Sequence, residues 1–275
     1  MQTNQASSDS RRLGNRGLLA LCLAAACVLI ATNLAVGGGN MQEAKKVNLS
    51  VRDPRPVAKA VELLGAKHGW VITYEDPAYA HDSELVDVTE SVRRDLHKYR
   101  AGEAPKVLIP KGGELVFDYE YAPAAKPPAE AAAAVVQQLL NTQSAGGNAG
   151  TFRLERSGQF MHVIPATSKN GAGEVAPSES VLDALITLPA GERNGVRMLG
   201  VICAAVSKAT GARVEVGVIP TDLFMRYQDQ QGAMNEKARD VLANRLESMK
   251  DGPKLSWQLL YDPGLKMYFL NIHPV

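Results

Sequence analysis

The strand-like stretch "GELVFDYEY" holds the residues of this chain best suited to chemistry, Asp118 and Glu120 alternating with Phe117, Tyr119 and Tyr121. Two carboxylates on one strand face suit the acid and base of glycoside hydrolysis, and aromatic rings stack on sugars. An amphipathic strand shows the same alternation, with aromatics inward and acids outward. His81, Asp82 and Glu84 come nearest to a metal-ligand cluster, in a segment that also reads as a solvated loop. The histidines, His68, His81, His97, His162 and His273, show no His-x-x-x-His spacing. His162 and His273 fall near the ends of two expected hairpins, where surface positions are expected. Cys203 sits on the apolar stripe of an expected helix, a setting for a structural thiol rather than an electropositive, accessible nucleophile. No serine lies in a G-x-S-x-G turn, and neither "GNAG" nor "KGGE" has the strand, lysine and helix of a phosphate loop. The residues therefore assign no catalytic group, cofactor or metal, and binding is expected over catalysis. A hydrolase using Asp118 or Glu120 and a glycan- or peptide-binding protein are the alternatives.

What positions these residues has to be built from a body of nearly balanced charge. The formal net charge is +1, and Arg11, Arg12 and Arg16 against Asp9 place +2 of it in the first sixteen residues. A nucleic-acid partner is not expected, because neutralising phosphates takes a clustered basic surface. Of the three cysteines, Cys22 and Cys27 lie in the N-terminal apolar run, which leaves the body one thiol and no disulfide.

That apolar run, "GLLALCLAAACVLIATNLAV", follows the three arginines in the layout of a bacterial export signal. Three outcomes stay open: cleavage after Gly37 with Ala35 at −3, retention of residues about 17–36 as a single inner-membrane anchor, or lipidation at Cys27. Each puts the body outside the cytoplasm. Membrane contact is then expected only through this segment, and only if it is not cleaved.

Beyond a glycine-rich break the patterning is regular. "KKVNLSV" reads as a strand, and "RDPRPVAKAVELLGAKHG" as a helix with Asp53 before it, prolines in its first turn and Gly69 at its end. "WVITYEDP" is a strand closed by Asp76-Pro77. "PPAEAAAAVVQQLLNTQSAGG" reads as a second helix, and "GTFRLERSGQFMHVIP" as a hairpin. The order then returns in "VLDALITLPAGE", "NGVRMLGVICAAVSKATG", "ARVEVGVIP", "NEKARDVLANRLESMKDGP" with Asn235 as its cap, and "LSWQLLYDPGLKMYFLNIHP". Phe152 and Trp257 open the two hairpins. The expected fold is α+β: two tandem small modules, each with two helices packed on short β-sheets, preceded by an N-terminal apolar helix. The boundaries are 1–37 for the export signal or anchor, 41–166 for the first module with an insertion at about 80–113, 167–179 for a linker, and 180–275 for the second module.

The pieces "AVELLGAKHGWVITYEDP" and "ARDVLANRLE…LSWQLLYDPGLKMYFLNI" resemble the short N-terminal domain shared by secretins and TonB-dependent receptors, in two tandem copies. The resemblance implies a cell-envelope docking, adaptor or sensing module with a protein partner, a secretion or TonB-type system among the possibilities. The insertion, present in one copy only, is the stretch freest to serve that partner.

Overall fold

The computed structural model describes residues 45–275 apart from 101, 122–128, 148, 250 and 251. The export segment 1–37, its anchor at 17–36 and Cys27 lie outside the described residues. No helix among the described residues is long and apolar enough to cross a membrane.

The N-terminal half runs β1 (Lys45–Asp53), α1 (Pro56–His68), β2 (Val71–Glu75), β3 (Leu85–Asp87), α2 (Thr89–Val92), β4 (Leu108–Pro110), β5 (Gly113–Tyr121), α3 (Ala129–Ala145), β6 (Thr151–Ser157), β7 (Phe160–Lys169) and β8 (Val175–Pro177). The C-terminal half runs β9 (Leu185–Leu188), β10 (Arg193–Asn194), α4 (Gly195–Thr210), β11 (Arg213–Val216), α5 (Thr221–Arg226), β12 (Gln228–Asp229), β13 (Ala233–Lys237), α6 (Ala238–Ser248), β14 (Leu255–Asp262) and β15 (Met267–Pro274). The chain is an α+β fold.

Local chemistry sets the helix ends. Proline opens α1, and Gly69 closes it at φ 67°, a left-handed conformation that glycine adopts without a Cβ penalty. On α4 the Asn194 side chain accepts from the Arg197 N–H at 2.9 Å, and Gly211 closes the helix at φ 73°. Asn235 does not cap α6. It lies in β13 at φ 53°, and the helix begins at Ala238 without a side-chain cap. The pairing of β13 with β9 takes up the residues that the helical pattern had claimed.

One sheet runs through both halves in the order β11-β15-β14-β2-β7-β6, with β8 paired to β7 beyond the reach of β2. The halves meet where β14 lies parallel to β2, Gln258 beside Tyr74 and Leu259 beside Glu75. Ile72, Tyr74, Met161 and Val163 pack with α1 and α3 in one core. Val71 and Phe160, on the alternate face of the same strands, pack with α4, α6 and Trp257 in the other. The sheet is therefore covered on both sides. Residues 167–179 are not a plain linker, since β7 runs on to Lys169 and β8 pairs back along it. The Asn170 side chain accepts from Ala172 N and Glu174 N, and Gly173 sits at φ 84°, so the small polar residues make a tight turn.

Candidate functional site

Two consecutive carboxylates at the end of β2 fasten the joint between the halves, one on each face of the sheet. Glu75 is fully buried, and Arg239 of α6 grips it with Nε to Oε1 at 2.8 Å and a terminal nitrogen to Oε2 at 2.9 Å. Arg239 also reaches Asp183 at 2.6 Å, and the Ser180 hydroxyl donates to Glu75. Burial works against the charged guanidinium, but Glu75 and Asp183 more than offset it and raise the Arg239 pKa. Asp76 points the other way. It accepts from Arg55 at 2.6 Å, Tyr74 OH at 2.7 Å, Tyr79 OH at 3.1 Å and the Tyr261 N–H at 2.9 Å. Burial and this carboxylate push both tyrosine hydroxyls well above their ordinary pKa. Every charge here has a partner, as a structural clamp requires.

The carboxylates considered for hydrolysis are arranged otherwise. Asp118 and Glu120 project from the exposed face of β5, while Phe117 and Tyr119 are buried beneath. Asn48 and Lys46 hold Asp118 at 2.7 and 3.1 Å and lower its pKa, which keeps it ionised rather than poised as a general acid. Neither carboxylate lines the cavities at α1 and β14–β15 (about 300 Å³) or at Trp70 and Phe160 (about 590 Å³). In the second cavity Trp70 stacks on His68 at 4.5 Å and is itself buried, with little ring face left for a sugar.

The structure also separates the histidine cluster. His81 Nδ1 accepts from Ser83 N, Asp82 is exposed, and Glu84 is buried against the Lys169 N–H at 3.3 Å, with its pKa raised by burial. Among the described residues no three His, Cys, Asp or Glu side chains group as metal ligands. Cys203 is buried, and burial pushes its thiol up to about 12, so it stays protonated.

His162 is not at the surface. It is buried, hydrogen-bonded through Nδ1 to Thr73 Oγ1 at 2.9 Å, and lies 5.2 Å from the Trp257 ring. The strand face that would be outward in a lone N-terminal half is covered by the C-terminal half. Burial, then the charge of Arg239, lowers its pKa to about 3. His273 is half-buried on the other side of the sheet, with its pKa lowered by burial.

At the insertion, exposed apolar residues stand on a small framework of their own. β3 and β4 form a separate antiparallel ladder, prolonged by Val88 N to Val107 O at 2.9 Å. Thr89 closes its open end, with its hydroxyl accepting from Val107 N at 2.7 Å. Arg93 staples the following loop, donating to Asp95 at 3.2 Å and Pro105 O at 2.8 Å and lying 5.0 Å over the Tyr99 ring. Outside this framework Val86, Val92 and Tyr99 stay exposed, at 40%, 55% and 36%. Arg94, Lys98 and Arg100, which have no ion pair among the described residues, are also exposed, and so are the acids Asp82, Asp87, Glu90 and Glu103. Exposed apolar side chains here stand among charges of both signs.

The fold class is thus α+β, and the candidate site is a surface. Set against known protein families, characterised proteins and solved structures, the chain matches none.

Proposed function

We propose that this chain is a non-enzymatic protein of the cell envelope, built from two tandem copies of one α+β module and exported by its N-terminal segment, and that it serves as a docking or adaptor module for a protein partner. The observation that carries this reading is the insertion: a stapled framework in only one half that holds Val86, Val92 and Tyr99 exposed among charges of both signs. Such a surface fits a partner with an apolar patch and a rim of mixed charge. The buried, fully paired Glu75–Arg239 and Asp76–Arg55 clamps favour a structural role for the other charged clusters.

The test follows from the ladder. Val88 and Val107 are hydrogen-bonded, so residues 89–106 can be replaced by an Asn-Gly turn without moving β3 or β4. The shortened protein should keep its thermal unfolding midpoint and lose its cross-linked partner in envelope extracts. Recovery of the same partner by the shortened protein would refute the assignment.

A further inference from the structure

The joint between the halves brings together two unlike edges. β14 offers its outer edge to β2, in parallel. Each of these strands has a counterpart in the other half. Tyr74 lies beside Val163 in the β2–β7 pair as Val216 lies beside Leu270 in the β11–β15 pair. Leu154 faces Val163 across the first hairpin as Leu259 faces Leu270 across the last. So β6 holds the place of β14, and β11 holds the place of β2. These two counterparts are the strands at the two ends of the sheet.

Their edges carry the same chemistry as the internal joint. On β2 the Ile72 carbonyl is taken by Ser256 Oγ, and pairing with β14 begins at Tyr74. On β11 the N–H and carbonyl of Val214, the counterpart of Ile72, are taken by Ser207 Oγ at 2.9 and 3.3 Å, so the next outward residue is Val216. Gly217 follows, then Val218, an apolar side chain 77% exposed. β6 runs from Phe152 to Ser157 without proline or a break in register. Neither edge carries a proline, and the protection they have is the charged side chains, Arg213 and Glu215 on β11 and Arg153, Glu155 and Arg156 on β6, with the four-residue length of β11.

We propose that a second copy of this chain adds its β11 to β6, in parallel, repeating the internal joint between molecules. The internal register places Arg153 beside Val216 and Leu154 beside Gly217 of the next copy. The two halves run in opposite strand directions with their helices on opposite faces, so a third half regains the orientation of the first. Addition therefore repeats head to tail instead of closing as a two-fold dimer. The inference rests on the reading of the halves as copies of one module, but not on the partner surface at the insertion.

The test uses the full chain, purified in detergent, with Cys22 and Cys27 changed to serine. Arg153→Cys and Val216→Cys are placed together in one chain, and a disulfide between neighbouring parallel strands lies within reach. Oxidation should give a non-reducing gel ladder of dimer, trimer and higher species, while either cysteine alone gives no ladder. Val216→Pro, which removes an outward N–H, should abolish the rise of mass with concentration seen for the unmodified chain in sedimentation equilibrium. A ladder that stops at dimer, or a chain that is monomeric at every concentration with no ladder, overturns the proposal. Should Val216→Pro not fold, the cysteine pair alone decides. A failure here leaves the partner test at residues 89–106 standing, because the two use different residues.

Discussion

Replacing Arg239 by methionine would remove the guanidinium that grips Glu75 and leave the carboxylate buried. The arginine makes two bonds to Glu75, at 2.8 and 2.9 Å, and one to Asp183 at 2.6 Å. After Arg239→Met, Glu75 keeps only the Ser180 hydroxyl as a side-chain donor. Breaking a buried ion pair from one side costs about 3–5 kcal/mol, because the remaining charge is left uncompensated. For a body of this size each kcal/mol moves the midpoint by about 2–4 °C, so thermal unfolding should fall by about 6–20 °C. The assay is circular dichroism melting at pH 7, with denaturant unfolding in parallel. Adding Glu75→Gln to Arg239→Met should recover at least half of the loss, since the buried charge goes with its partner. If Arg239→Met costs less than about 1 kcal/mol, a surface-pair value, or if the double variant falls further, the clamp does not hold the joint as described.

Two further outcomes are expected. His162 is neutral in the folded state because its pKa is lowered to about 3, whereas in the unfolded chain it titrates near its ordinary value of about 6.5. The unfolded state therefore binds the extra proton, and stability is lost as pH falls below that value, by about 2 kcal/mol from this group between pH 7 and 5. His162→Asn should flatten that share of the acid limb in denaturant titrations, and an unchanged slope would argue that the ring is solvated. Limited proteolysis should cut the turn at 170–174 first, and the two fragments should stay together in gel filtration, because β14 remains paired with β2. Separate elution of the fragments would show that the shared sheet does not hold.

The local elements were legible in the sequence and the joint was not. The prolines before α1, Gly69, Asn194 and Gly211 act within one turn of chain, so their residue types disclose the ends they set. The pairing of Gln258 with Tyr74 joins residues far apart in the chain and leaves no local pattern. From sequence, Asp76 therefore reads only as part of the Asp-Pro that closes a strand, and His162 as a surface residue. One signal was present. All five residues of β2 are buried, and "VITY" lacks the clean alternation of a strand with one wet face. An apolar run of that kind asks for cover on both faces, which only the other half supplies. At the candidate site, the extra sequence at about 80–113 is readable, but the ladder and the Arg93 staple that hold its apolar residues outward are not.

The measurement that bears most directly on the docking account is photo-cross-linking from Val92 in living cells, in the intact chain. Among the described residues of the insertion, Val92 is the most exposed large apolar side chain. A photoreactive side chain there should give one discrete adduct with an envelope protein, and the same probe at Val116, an exposed residue on β5, should not. If Val92, Val86 and Tyr99 all fail to give an adduct, or if the adduct from Val92 is with a cytoplasmic protein, the account of this chain as an envelope docking module is contradicted.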